Sequence, residues 1–236
     1  MGIINIDDPE YVKLYRKYDS GLAIRFYHKV FKYRFAVPIY KYLPFDATIM
    51  DVGCARGKFL HDMKRFGYRN LNGLDLAFTD TAVSPGEGAT FFQASITGAD
   101  FQLSKDMVVE GNRDNPDLVF DAVFIQNMLH HLPIDELMHT ARNVASLCKE
   151  GGYVFLYDVN RLTLVGRFFY EVFLRLFPDY YAAAVRETPE QLAFCRIWPE
   201  FYSALEQAGL RCIKRSEWSF YKALVFRKDG GVKTSV

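Results

Sequence analysis

The sequence holds little cysteine, no excess of either charge and no long apolar run, and each shortage removes a class of protein. The four cysteines among 236 residues, Cys54, Cys148, Cys195 and Cys212, are widely spaced and form no C-x-x-C pair. That pattern argues against a disulfide framework and a structural zinc site, and no metal ligand is assigned. Cys148, Cys195 and Cys212 read instead as core thiols. Lysine and arginine number 29 against 28 aspartate and glutamate, a net charge of +1, so no field of the whole chain draws in nucleic acid or an anionic membrane. The richest aromatic stretch, residues 168–177, is interrupted by Glu171 and Arg175 and falls short of the ~20 apolar residues that span a bilayer. Asp7, Asp8 and Glu10 stand where an export signal would need basic residues and an apolar run. A cytoplasmic protein without a transmembrane segment is expected.

What the chain does have is apolar bulk. Hydrophobic residues make up 50% and charged residues 24%, enough for a substantial core and unlike a disordered or fibrous chain. From residue 47, short β-rich runs alternate with helical patterns, which predicts an α/β domain with a parallel sheet covered by helices. Residues 47–52 read as the first strand, stopped by Gly53; Phe59, Met63 and Phe66 then share a helical face that Gly67 caps. Further strands are expected at 71–76, 90–94, 118–125 and 153–158. The Gly, Asn and Pro of 97–117 predict an open insertion. A helix is expected over 134–149, ended by Gly151 and Gly152. Thr188-Pro189-Glu190-Gln191 has the form of a capping box that opens a helix. A second helix is expected from Pro199 to Gly209, followed by strands at 211–218 and 221–227.

Asp51-Val52-Gly53-Cys54-Ala55-Arg56-Gly57 stands between the first strand and its helix. Gly53 and Gly57 let the backbone turn sharply and approach a ligand, and Ala55 leaves room between them. Open α/β sheets bind ligands at this carboxyl end of the strands. Asp75, at the end of the next strand, offers a carboxylate suited to two ribose hydroxyls. Phosphate motifs fit poorly. A dinucleotide fingerprint needs glycines where Ala55 and Lys58 stand, and a P-loop needs four residues, not three, between the glycines.

The segment resembles motif I of the class I S-adenosylmethionine-dependent methyltransferases, an acid followed by G-x-G-x-G, with Ala55 in place of the central glycine. Gln126-Asn127-Met128-Leu129-His130-His131-Leu132-Pro133 looks like the L-H-H-L segment of small-molecule members. Lys149-Glu150-Gly151-Gly152-Tyr153 resembles the L-K-P-G-G turn, with Glu150 replacing proline. The resemblance covers residues 47–158 and extends by analogy to 227. It implies a Rossmann-like fold with a mostly parallel seven-stranded sheet and helices on both faces. It implies S-adenosylmethionine as cofactor and S-adenosylhomocysteine as product. Gly53, Cys54, Ala55 and Gly57 would line the methionine part, and Asp51 would brace that loop or meet the amino group. Asp75 would hold the ribose, and Leu76 and Ile96 would sandwich adenine. Ser95 stands where an adenine-contacting acid is common. Gln126 would turn its backbone carbonyl to the ammonium, with Asn127 beside it.

Methyl transfer from a sulfonium is an in-line displacement, favoured by holding nucleophile, methyl and sulfur in line. A nucleophile that loses a proton also wants a base titrating near neutral pH, which points to His131 first and His130 second. The alternative is that one histidine bonds its own loop and the other caps the next helix. Asp158, ending the fifth strand, either orients the acceptor or braces a turn. Residues 1–45 read as a helical cap, 46–228 as the methyltransferase domain, 161–187 within it as a substrate cover, and 229–236 as a flexible tail. In the cover, Phe169, Val172, Phe173 and Leu176 share one face. These aromatic covers favour an apolar or aromatic small-molecule acceptor, methylated on oxygen or nitrogen. The rivals are a nucleic-acid methyltransferase, resting on the basic and aromatic residues of 25–42, and a module that binds the cofactor without transferring its methyl. A nicotinamide dehydrogenase is a distant third.

Overall fold

A computed structural model describes residues 39–55, 57–76, 89–112, 114, 116–176, 178–217 and 221–229. Its strands are β1 (Thr48–Val52), β2 (Asn70–Asp75), β3 (Ala89–Gln93), β4 (Val108–Glu110), β5 (Phe120–Gln126), β6 (Cys148–Val159), β7 (Leu210–Ser216) and β8 (Tyr221–Lys228). Its helices are α1 (Lys58–Arg65), α2 (Leu137–Leu147), α3 (Leu164–Glu171), α4 (Pro178–Arg186) and α5 (Thr188–Gln207). The strands form one sheet in the order β4-β3-β2-β1-β5-β6-β8-β7. Neighbours from β3 through β6 run parallel, and β8 runs antiparallel to both β6 and β7. The chain's order reverses between β1 and β5, so the carboxyl ends of these two strands flank the switch point where ligands bind in open α/β sheets.

Alternation along the central strands fills both faces. Met50, Val52, Val123, Ile125, Val154 and Leu156 point to one side, where α2 and α5 cover them. Ile49, Ala122, Phe124 and Phe155 point to the other, where Phe59, Leu60 and Met63 of α1 cover them. The Phe124 and Phe155 rings stack at 4.5 Å between centroids and 5° between planes. Burial on both faces explains why these strands read as near-continuous apolar runs.

Four expectations are corrected. The seven expected strands are joined by an eighth, β4, within the stretch read as an open insertion. It pairs antiparallel with β3 at the sheet edge and contributes a single buried residue, Val108, so turn-forming neighbours hid it. Gly151 and Gly152 do not end a helix. α2 stops at Leu147, β6 begins at Cys148, and the glycines lie where the β5–β6 register slips between Phe120 and Ala122. The two C-terminal helices are one, α5, with Pro199 in its interior. Interior proline costs about 3 kcal/mol. The stripe Gln191, Phe194, Cys195, Trp198, Phe201, Ala204 and Leu205, buried at helical spacing along the whole length, outweighs it. In the expected cover, α3 ends at Glu171, and the buried apolar side chains among the described residues are Phe169, Tyr170 and Leu174, while Val172 and Leu176 are exposed.

Most of the expected N-terminal cap, including the aromatic and basic residues from 25 to 38, lies outside the described residues. Of its last part, Ile39–Lys41 form a single 3-10 turn and Leu43 is buried. The Tyr42 ring sits 5.4 Å from that of Tyr153. Of the expected tail, Asp229 is described and accepts from the Arg211 guanidinium at 2.9 and 3.1 Å. The helix expected around Phe59 and Met63 is α1, and the strands expected at 71–76, 90–94, 211–218 and 221–227 are found within two residues of their expected bounds.

Candidate cofactor and acceptor site

The motif loop leaves β1 through three left-handed residues, Gly53 (φ +74°), Ala55 (φ +46°) and Gly57 (φ +67°). A β-carbon on Gly53 would lie 2.5 Å from Cγ of Met128 and 2.9 Å from its Cβ, so only glycine lets this turn sit against the segment that follows β5. The N–H groups of Gly53 and Cys54 both donate to the Leu74 carbonyl, at 2.8 and 3.2 Å. Oδ2 of Asp75 accepts the Ala55 N–H at 2.7 Å, tying the loop to the end of β2. Asp51 is buried on β1, opposite Gly73 on β2 and Phe124 on β5. The Cys54 thiol is buried too; burial, then the charges of Asp51 and Asp75, push its pKa well up and keep it protonated.

After β3, Ser95 folds back on its own turn, its hydroxyl 2.8 Å from that of Thr97 and accepting the Thr97 N–H at 3.3 Å. Asn143 of α2 donates to the carbonyls of Ile96 and Gly98 at 2.7 and 2.8 Å, which holds this loop in place. Ile96 is buried in the core, whereas Leu76 is exposed. At the end of β5, Asn127 adopts φ +50° and donates its N–H to the Tyr157 carbonyl. Nε2 of Gln126 and Oδ1 of Asn127 are buried without a hydrogen-bond partner among the described residues. Such orphaned polar atoms, beside a loop opened by glycines, fit a polar ligand that supplies their partners.

The two histidines stand on a 3-10 turn, Leu129–His131, directly behind Met128. Asp158, at the end of β6, is 1% exposed and accepts three hydrogen bonds. They come from the Leu129 N–H at 3.0 Å, the Val159 N–H at 2.7 Å and Nδ1 of His130 at 2.6 Å. A carboxylate only accepts, so the shared proton is on Nδ1 of His130, and in the neutral ring Nε2 is the atom with the lone pair. That Nε2 is buried and has no hydrogen-bond partner among the described residues; the nearest acid is Glu187, whose Oε2 lies 3.9 Å away. The His131 ring lies 4.0 Å from that of His130, and its Nδ1 is 3.8 Å from Oε2 of Glu190.

Glu187 is bound into a chain of side chains. Nε2 of Gln191 donates to its Oε2 at 2.8 Å, and Nε of the buried Arg161 donates to Oε1 of Gln191. The Arg161 guanidinium lies 4.0 Å over the Tyr170 ring. Burial pushes the Glu187 carboxyl above the usual carboxylate range, with His131 and Arg161 drawing it part of the way back. Burial likewise lowers the Arg161 pKa and raises those of Tyr157 and Tyr170.

The structure brings His130, His131 and Asp158 together, with His130 rather than His131 held by the aspartate. It sets them next to Gly53 through Met128. Gly53, Cys54, Ala55, Gly57, Asp75, Gln126 and Asn127 gather at one end of the sheet, while Leu76 and Ile96 differ sharply in exposure. Glu187, Gln191 and Arg161 escaped the sequence reading. The one available signal was the helix start at 188–191, but Gln191 does not reach back to a backbone N–H as a capping box requires. The helix carries no side-chain cap, and Gln191 holds the Glu187 carboxylate instead.

A Rossmann-like sheet with this glycine loop and an acid ending the next strand defines a class I S-adenosylmethionine-dependent methyltransferase. The chain belongs to the methyltransferase-domain family, which matches residues 15–215. It is similar to the ubiquinone biosynthesis O-methyltransferase of Shewanella pealeana, 32% identical over 117 residues, 50% of this chain and 45% of that protein. The chain thus spans about half the length of the curated relatives it matches. Among solved structures it shares its fold with the PH0226 protein of Pyrococcus horikoshii OT3 at TM-score 0.61 and 13% identity, covering 93% of this chain and 99% of that one. It also shares the fold of a TehB-like methyltransferase from Corynebacterium glutamicum at TM-score 0.53 and 16% identity, covering 81% and 85% of the two chains.

Proposed function

We propose that the chain methylates an oxygen of a small aromatic hydroxyl compound, with His130 as general base and Asp158 as the residue that positions it. The observation carrying this reading is the buried Asp158–His130 pair, whose free Nε2 lone pair stands behind Met128, the residue against which the Gly53 turn rests. When bound, S-adenosylmethionine supplies an electrophilic methyl on a positively charged sulfur. Gly53, Cys54, Ala55 and Gly57 would lie along its methionine part, with Asp51 behind them. Asp75 would turn to the ribose, Leu76, Ser95 and Ile96 would meet the adenine, and Gln126 and Asn127 would answer the ammonium.

On the acceptor side, Nε2 of His130 takes the hydroxyl proton as the oxygen attacks. Asp158 fixes the tautomer and steadies the imidazolium that results. Residues 161–187 cover this side, a role supported by Glu187 standing at their end within 3.9 Å of His130. Oxygen as the acceptor atom is supported by the relative named as an O-methyltransferase. The nucleic-acid alternative rests on residues 25–42, of which 25–38 lie outside those described. Among the described residues, no helix is long and apolar enough to cross a membrane.

Calorimetric titration with S-adenosylmethionine, paired with labelled-methyl transfer to a panel of phenols and catechols, tests the proposal. Asp75→Ala weakens cofactor binding by about tenfold, equivalent to about 1.4 kcal/mol. His130→Gln lowers transfer by roughly 10²–10⁴-fold while cofactor affinity holds. A folded protein that binds no S-adenosylmethionine sinks the reading. Salt-sensitive transfer to RNA, with none to small molecules, moves it to the nucleic-acid rival.

A further inference from the structure

Three side chains of the acceptor side have a second capacity. A ligating atom of each of His130, His131 and Glu187 lies within 4.8 Å of the other two. Imidazole and carboxylate donors in threes are the set that zinc takes in open sites, whereas magnesium and calcium favour oxygen alone. Nε2 of His130 is the atom of the ring that can ligate. It is buried, without a hydrogen-bond partner among the described residues, and 3.9 Å from Oε2 of Glu187.

The supports behind these atoms are those a metal site uses. Asp158 accepts from Nδ1 of His130 at 2.6 Å, which fixes the ring and aims Nε2, as carboxylates do behind zinc-bound histidines. Gln191 donates to the Glu187 carboxylate at 2.8 Å and fixes its direction. Ligands about 2.0–2.2 Å from a tetrahedral zinc stand about 3.3–3.6 Å apart. The cluster therefore needs an approach of at most about 1.5 Å between atoms on rotatable side chains. Cysteine spacing gave no hint of this, because Glu187 and the histidine pair come from separate parts of the chain.

We propose that His130, His131 and Glu187 bind one zinc-class divalent cation, and that the bound cation blocks methyl transfer by occupying the Nε2 lone pair of His130. The binding half stands on the geometry alone. The blocking half rests on the reading of His130 as general base.

The test titrates zinc into chelator-treated full-length protein by calorimetry, with no acceptor present, and then assays methyl transfer with zinc and with chelator. Wild-type protein binds one equivalent, and His131→Ala and Glu187→Gln each weaken it at least tenfold, while S-adenosylmethionine titration of the same samples reports that they are folded. Zinc then inhibits transfer and chelator restores it. No zinc binding by the wild type, or binding that neither substitution weakens, overturns the site. Zinc binding that leaves transfer unchanged or raises it overturns the block. Failure of the base assignment shows separately, as undiminished transfer by His130→Gln in chelator.

Discussion

The proposed cofactor cradle and the histidine cluster share one end of the sheet, yet the first is made of backbone and the second of side chains. The described part of the cradle is residues 51–55, Gly57 and Asp75, and its shape comes from left-handed φ values at Gly53, Ala55 and Gly57 and from N–H groups bound to Leu74 and Asp75. The cluster draws His130 and His131 from the turn after β5, Asp158 from β6 and Glu187 and Gln191 from the start of α5. A backbone site tolerates change in side chains that point away from it. A side-chain site depends on every partner in the chain of hydrogen bonds.

The largest expected effect breaks the second half and spares the first. Asp158 accepts from Leu129, Val159 and His130 at once. Asp158→Ala leaves three buried donors without an acceptor, each worth about 1–3 kcal/mol, so unfolding in denaturant shows a loss of about 3 kcal/mol or more. Asp158→Asn keeps an oxygen for only one of the two backbone N–H groups, which bond different carboxylate oxygens. It therefore costs less stability than Asp158→Ala and folds, but it no longer holds the charged imidazole. Its methyl transfer falls roughly 10²–10⁴-fold, while calorimetry finds S-adenosylmethionine bound within about threefold of wild type. Equal loss of cofactor binding and transfer would show that the two halves are one unit.

The contrast also accounts for what was legible in advance. Gly53, Gly57 and Asp75 could be read because a tight turn between a buried strand and a helix leaves its mark in neighbouring residues. Asp158 was visible only as an acid ending a strand, with no way to tell that it faces His130 rather than His131. Glu187 was invisible, since the histidine it stands beside comes from a distant part of the chain and the local sequence suggested a helix cap. The same division holds for the scaffold. The central strands are apolar on both faces and announced themselves, whereas β4 is three residues at an edge, and α5 runs through Pro199 because of a buried stripe that no local rule weighs.

A smaller effect breaks the first half. Gly53→Ala puts a β-carbon at φ +74° and 2.5 Å from Cγ of Met128, so the loop must move. About 1–3 kcal/mol of stability goes with it, and S-adenosylmethionine affinity falls at least about tenfold. Adding Met128→Ala removes the 2.5 Å clash but leaves the one with Cβ at 2.9 Å and the backbone strain, so thermal melting recovers in part only. Full recovery would mean that the contact alone, and not the left-handed turn, makes glycine necessary.

The smallest effect belongs to neither half and calibrates both. At the opposite end of the sheet, Asp121 takes the N–H and hydroxyl of Thr48 at 2.8 and 2.7 Å and the Lys149 ammonium at 3.2 Å, clasping the starts of β1, β5 and β6. Partial burial pushes its carboxyl pKa up, but the Thr48 hydrogen bonds and Lys149 outweigh burial and hold it below the usual value of 3.8. A carboxyl lowered by folding adds stability above its unfolded pKa and loses it as pH falls through the folded one. Asp121→Asn therefore costs stability at pH 7. The group is 40% exposed, so the cost is under about 1 kcal/mol. The gap to wild type closes as unfolding is followed below pH 4, and both cofactor affinity and methyl transfer stay at wild-type levels. A change in either would mean that strain at the strand starts reaches the ligand end of the sheet, and the effects of Asp158 and Gly53 substitutions would then need the same correction.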